Sequence, residues 1–182
     1  MSSKDKYGIE LEIPDNVVVK KEDQLISVTG KKGTIIRDFH KLAAFITIEN
    51  NTIEIEPAGK RKRDLAMTNT ARSILKNMFK GVENGFRYKL KIVFAHFPIS
   101  VKVKEREVHV ENFFGERSAR VSRIVGDGTN VTIKGDDVIV EGPSLEDVSQ
   151  TAANIESSTK VKGKDQRVFL DGLYIYSRDG GD

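Results

Sequence analysis

The sequence predicts an α+β protein of two similar domains from internal duplication, each a mainly antiparallel β-sheet with one helix packed on a face. Three observations carry this expectation: a repeat spaced by about 81 to 85 residues, matching hairpins with turn residues at their tips, and one helical stretch closing each repeat. Ile13-Pro14-Asp15-Asn16-Val17-Val18-Val19-Lys20 aligns with Phe97-Pro98-Ile99-Ser100-Val101-Lys102-Val103-Lys104, so Val17 and Val19 fall on Val101 and Val103. Ile26-Ser27-Val28 then falls on Val108-His109-Val110, and Gly33 on Gly115.

The hairpins are the clearest match. Ile46-Thr47-Ile48 and Ile53-Glu54-Ile55-Glu56 correspond to Val131-Thr132-Ile133 and Val138-Ile139-Val140-Glu141. Asn50-Asn51 and Gly135-Asp136 occupy the tips, residues that tolerate the positive φ of tight β-turns. A helix follows each hairpin, with Ala71 and Ile74 matching Ala152 and Ile155. Over Lys60 to Lys80, the residues Met67, Ala71, Ile74, Leu75 and Met78 form one apolar stripe at the helical period. The second helix opens at Pro143-Ser144-Leu145-Glu146-Asp147, with Ser144 as its cap and Asp147 completing the box. Leu145, Val148, Ala152 and Ile155 supply its buried stripe. The reading places the domains at residues 1–82 and 83–182, joined through Gly81-Val82-Glu83-Asn84-Gly85.

Composition narrows the function. With no cysteine, thiol catalysis, disulfides and thiolate metal sites are excluded. No apolar run approaches the roughly 20 residues that span a bilayer. The net charge of +3 is small, but the charges are segregated. Ala58 to Lys80 holds seven Lys or Arg against Asp64 alone, and Ile124 to Glu156 holds seven Asp or Glu against Lys134 alone. Such segregation gives one face a polyanion to meet.

Lys60-Arg61-Lys62-Arg63 is the strongest local signal. Four cations at a helix start oppose the macrodipole by about 0.3–1 kcal/mol each, a placement that points to an external anion such as RNA phosphate. Lys160, Lys162, Lys164 and Arg167 form a second cluster around Gly163, which lets a backbone approach a ligand closely. Cations beyond a helix C-terminus also suit its dipole, so a purely structural role competes there. Arg117, Arg120 and Arg123, spaced by three, would not share one strand face. Gly30-Lys31-Lys32-Gly33 matches the GxxG loop of KH domains, but it follows the strand-like Leu25-Ile26-Ser27-Val28 and reads better as a β-turn.

Catalytic constellations are thin. His40, His96 and His109 are scattered without metal-ligand spacing and read as packing or surface residues. No nucleophile elbow, phosphate loop or dinucleotide fingerprint occurs. We therefore expect no enzyme, no cofactor, no metal and no small-molecule substrate.

The stretches Gly142-Pro143-Ser144-Leu145-Glu146-Asp147-Val148-Ser149-Gln150-Thr151-Ala152-Ala153-Asn154-Ile155 and Lys162-Gly163-Lys164-Asp165-Gln166-Arg167-Val168-Phe169-Leu170-Asp171-Gly172-Leu173-Tyr174-Ile175 resemble signatures of the universal large-subunit ribosomal protein six family, in its archaeal and eukaryotic form. The resemblance spans essentially the whole chain. It implies a cytoplasmic protein of the ribosome with two α+β domains. It also implies binding of large-subunit rRNA mainly through the second domain, near the sarcin–ricin loop and the base of the factor-binding stalk, beside neighbouring ribosomal proteins. Two departures stand out. Lys31 replaces a proline common in the first glycine loop, and Ser158-Thr159-Lys160-Val161 stands where bacterial members carry a Pro-Glu-Pro run. Two rivals are a non-ribosomal RNA-binding regulator and a protein-interaction scaffold. The regulator would stack bases on exposed aromatics, for which Phe113-Phe114 is the obvious platform.

Overall fold

The structure is a computed structural model that describes residues 8–165 and 167–180. The chain divides into two compact units, one ending at Asn84 and the other beginning at Gly85.

The first unit contains β1 (Ile9–Glu12), β2 (Val18–Glu22), β3 (Leu25–Gly30), β4 (Gly33–Asp38), β5 (Ala44–Glu49), β6 (Thr52–Pro57) and α1 (Lys62–Glu83). Its strands form two antiparallel sheets, in the orders β1-β6-β5 and β2-β3-β4. The second unit repeats the plan with β7 (Phe86–Val93), β8 (Ser100–Lys104), β9 (Glu107–Glu111), β10 (Arg120–Arg123), β11 (Asn130–Lys134), β12 (Asp137–Gly142), α2 (Leu145–Ser158) and β13 (Gly172–Gly180). Its sheets run β11-β12-β7-β13 and β10-β9-β8. Taking β7, β12 and β11 as counterparts of β1, β6 and β5, and β8-β9-β10 as counterparts of β2-β3-β4, every strand pairing of the first unit recurs. The second unit adds β13 beside β7. The duplicated α+β plan expected from the sequence is present, with the strands of each copy shared between two sheets.

Local chemistry explains the elements. The β5–β6 hairpin turns through Asn50 at φ 53° and the β11–β12 hairpin through Gly135 at φ 59°, each closing two residues between paired ends. Alternation buries Ile53 and Ile55 on β6 and Val138 and Val140 on β12, all fully covered. Each helix lies on its own core. Ala71, Leu75, Met78, Phe79 and Val82 face one cluster with Ile26, Val28, Ile53 and Ile55. Val148, Ala152 and Ile155 face another with Leu90, Val108, Val110 and Leu173. Ser144 Oγ accepts from the Asp147 N–H at 3.3 Å, the expected cap of α2.

One expectation is corrected. Gly81 and Val82 are not linker residues, because α1 runs on through Glu83. Val82 extends the stripe begun at Leu75 and Met78 and is fully buried, so packing outweighs the weak helix propensity of Gly81. The stripe also runs through Thr68 and Phe79, while Met67 and Ile74 sit at its half-buried margin. Gly30-Lys31-Lys32-Gly33 is the β3–β4 turn, with Gly30 paired to Gly33 and the Lys32 N–H donating to the Val82 carbonyl at 2.8 Å. It is a hairpin turn tied to the end of α1, as the β-turn reading required.

Candidate nucleic-acid interface

The first basic cluster straddles the start of α1. Lys60 and Arg61 precede the helix, Lys62 and Arg63 begin it, and all four are exposed. Among the described residues none of the four forms an ion pair. Asp64 eases the local charge conflict, because its carboxylate accepts from the Arg61 N–H at 3.2 Å. The cationic side chains themselves remain directed to solvent.

The second cluster belongs to the segment that carries the chain from α2 back to β13. Both ends of this segment are fastened. Thr159, which ends α2, accepts from the Leu173 N–H through its hydroxyl at 2.9 Å. Asp171, buried at 1% exposure, accepts from the backbone N–H groups of Ala95 at 2.9 Å and His96 at 3.1 Å, and pairs with His96 Nδ1 at 2.8 Å. Burial alone would push the Asp171 carboxyl up, but the hydrogen bonds from Ala95 and His96 outweigh it and hold the group below the usual carboxylate range.

Between these anchors Lys160, Lys162, Gly163 and Lys164 are all exposed. Gly163 has φ +70°, which favours glycine, and a Cβ there would meet nothing within 4 Å. The backbone therefore faces open space between two ammonium groups. Lys164 Nζ stands 4.7 Å from the centroid of the Phe169 ring and 5.8 Å from that of Phe114. Such cation–π contacts are worth about 0.5–1 kcal/mol at exposed sites, enough to favour one direction for the side chain. Arg167 differs. Its guanidinium and N–H both engage Asp165, which holds the Asp165 carboxyl low, so its charge is already matched locally.

The competing role at the helix end falls to another residue. Arg120 Nη1 donates to the carbonyls of Ser158 at 3.0 Å and Lys160 at 3.4 Å, while the group sits 4.2 Å from the Phe113 ring and pairs with Glu116. Arg120 thus takes the last carbonyl of α2, Ser158, while the Thr159 and Lys160 N–H groups take those of Glu156 and Ser157, which leaves Lys162 and Lys164 free of that task. Beside Lys160 a cleft of about 650 Å³ is lined by Val161, Phe169, Leu170 and Tyr174 together with Glu156. The Glu156 carboxylate accepts from the Ile175 N–H at 3.0 Å and so is spent on seating β13. Phe113 is buried at 1% exposure, so it cannot serve as a base platform.

His96, Asp171 and Phe169 escaped the sequence reading. His96 read as a packing or surface residue, and no spacing connects it with Asp171, 75 positions later. The connection comes from register. Val93 at the end of β7 pairs with Gly172 at the start of β13, which brings the residues just beyond each strand end together.

Among the described residues no group of three or more His, Asp or Glu could hold a metal ion. Among the described residues no helix is long and apolar enough to cross a membrane. The fold and its exposed cations define a class: a duplicated α+β protein presenting basic side chains from a helix start and from a fastened loop. The family model described as ribosomal protein L6 matches residues 13–85 and again 97–172, once per unit. The chain belongs to that ribosomal protein family, a structural and non-enzymatic one. It is 49% identical over 170 residues to the large ribosomal subunit protein uL6 of Staphylothermus marinus, covering 92% of each chain. It is 45% identical to that of Aeropyrum pernix, covering 97% of this chain and 98% of the relative. The protein of the same description from Saccharolobus solfataricus is 44% identical, covering 93% and 94%.

Proposed function

We propose that this chain is a structural constituent of the large ribosomal subunit that binds large-subunit rRNA mainly through its second unit, near the sarcin–ricin loop and the base of the factor-binding stalk. Its place is then the cytoplasmic ribosome, with rRNA and neighbouring ribosomal proteins as partners. Family membership and the relatives' descriptions support the ribosomal role. The observation that carries the RNA face is the open, left-handed Gly163 between two exposed lysines in a segment fastened at both ends. Fastening a loop at both ends lowers the entropy it loses on binding, so more of the attraction between its cations and phosphate is retained. Lys160 extends the same surface, and Lys60, Arg61, Lys62 and Arg63 supply a second set of phosphate contacts. Arg167 joins the first set by exchanging Asp165 for phosphate.

Phosphate contacts release counterions, so their number is read from the salt dependence of affinity. Replacing Lys162 and Lys164 by alanine is expected to weaken binding to a large-subunit rRNA transcript containing the sarcin–ricin stem. It should also lower the log–log salt slope by about one to two units. Lys4→Ala with Lys6→Ala, at positions outside the described residues, is the charge-matched control. Equal losses in both double variants would mean that net charge, not this loop, carries the binding.

A further inference from the structure

Lys164 does not stand alone. Its Nζ shares the Phe169 ring with a second polar group, because the His96 ring lies against Phe169 with centroids 4.9 Å apart and planes 22° apart. Both the imidazole and the ammonium are therefore within 5 Å of one ring centroid. The buried Asp171 takes Nδ1 of His96 and its backbone N–H, which fixes the ring's rotation and puts a proton on Nδ1. Nε2 lies on the ring edge away from Asp171, in a side chain that is 37% exposed, and among the described residues it has no hydrogen-bond partner. An imidazole stacked on the ring that also holds Lys164, and locked by a buried carboxylate, is more ordered than a surface histidine needs to be.

We propose that His96 is a direct RNA contact whose Nε2 bonds a ribose 2′-hydroxyl while Lys164 meets an adjacent phosphate. The chemistry selects that group. A phosphate oxygen can only accept, so it would complement Nε2 solely when the ring is charged. A 2′-hydroxyl both donates and accepts, so it complements Nε2 in either protonation state. It is also the group that separates RNA from DNA at a single position. The basic loop thus supplies charge without discrimination, and His96 supplies recognition of the sugar. This inference rests on the reading of the second unit as an rRNA-binding one.

Two variants remove Nε2 in different ways. His96→Asn keeps an N–H for Asp171 and loses the ring, whereas His96→Phe keeps the stack on Phe169 and loses the polar edge. The full chain and each variant are bound to a pool of the sarcin–ricin transcript carrying one 2′-deoxy substitution per molecule, and bound and free RNA are compared position by position. Wild type is expected to reject 2′-deoxy at a small set of nucleotides. Both variants should become indifferent at one shared member of that set, with overall affinity reduced about two- to tenfold, the effect of one hydrogen bond. A folded variant whose 2′-deoxy profile matches wild type overturns the assignment of His96, and either variant suffices if the other fails to fold. If wild type retains none of the pool, the rRNA-binding reading of the second unit fails, and the contact with it. If wild type binds but rejects no 2′-deoxy position, the RNA-binding reading stands and the sugar contact is refuted.

Discussion

Truncating Ile155 to alanine is expected to destabilise the second unit by about 3–4 kcal/mol. Ile155 is fully buried near the end of α2, within the core that includes Val108, Val110 and Leu173. Removing its branched side chain forfeits the transfer free energy of the missing carbons and leaves a void bounded by two sheets that can collapse only in part. The loss also loosens the seat of the basic loop, since Thr159 and the Ser158 carbonyl that orient it lie within one turn of Ile155. Three of the four tyrosines, Tyr88, Tyr174 and Tyr176, belong to this unit, so urea unfolding followed by tyrosine fluorescence reports chiefly on it. A change below about 1 kcal/mol would mean that α2 is not the packed lid of this core.

Gly30→Ala is the second large effect, expected to cost about 2–3 kcal/mol in the first unit. A Cβ at Gly30 would stand 2.7 Å from the Val82 carbonyl oxygen and 2.8 Å from its Cγ2. The nearest atom is backbone, so the clash is relieved only by moving the β3–β4 turn away from α1. That movement also stretches the Lys32 N–H bond to Val82. Measured by denaturation, the loss of stability should appear without any change in the salt slope of RNA binding. The opposite result, intact stability with weakened RNA affinity, would return the turn to the role of a nucleic-acid clamp.

Both positions show what the sequence made legible. The repeat, the two hairpins and the two helices were readable because each depends on local periodicity or turn chemistry: Ile53 and Ile55 alternate, Asn50 and Gly135 turn, and Ser144 caps. The end of α1 was misread because Gly81 signals a break locally, while the reason to continue lies in the contact of Val82 with Gly30, more than 50 residues away. The Lys162-Gly163-Lys164 cluster was visible as charge, and the structure adds that Arg120 relieves those lysines of capping α2. His96 was invisible as a site residue. Its partner is chosen by the β7–β13 pairing, and β13 has no counterpart among the described residues of the first unit from which it could have been inferred.

In the proposed function the second unit's basic loop lies against large-subunit rRNA. The chain has no cysteine, so a single introduced one takes a hydroxyl-radical-generating iron chelate at a unique place. Val168 is 61% exposed in the segment that carries the loop, and Val18 is 57% exposed in the first unit. With Val168→Cys and Val18→Cys proteins incorporated separately into large subunits, the tether at residue 168 is predicted to cleave rRNA strongly around the sarcin–ricin stem, and more than the tether at residue 18. Assembled subunits in which the residue 168 tether cuts no rRNA, while the residue 18 tether does, would place the basic loop away from rRNA.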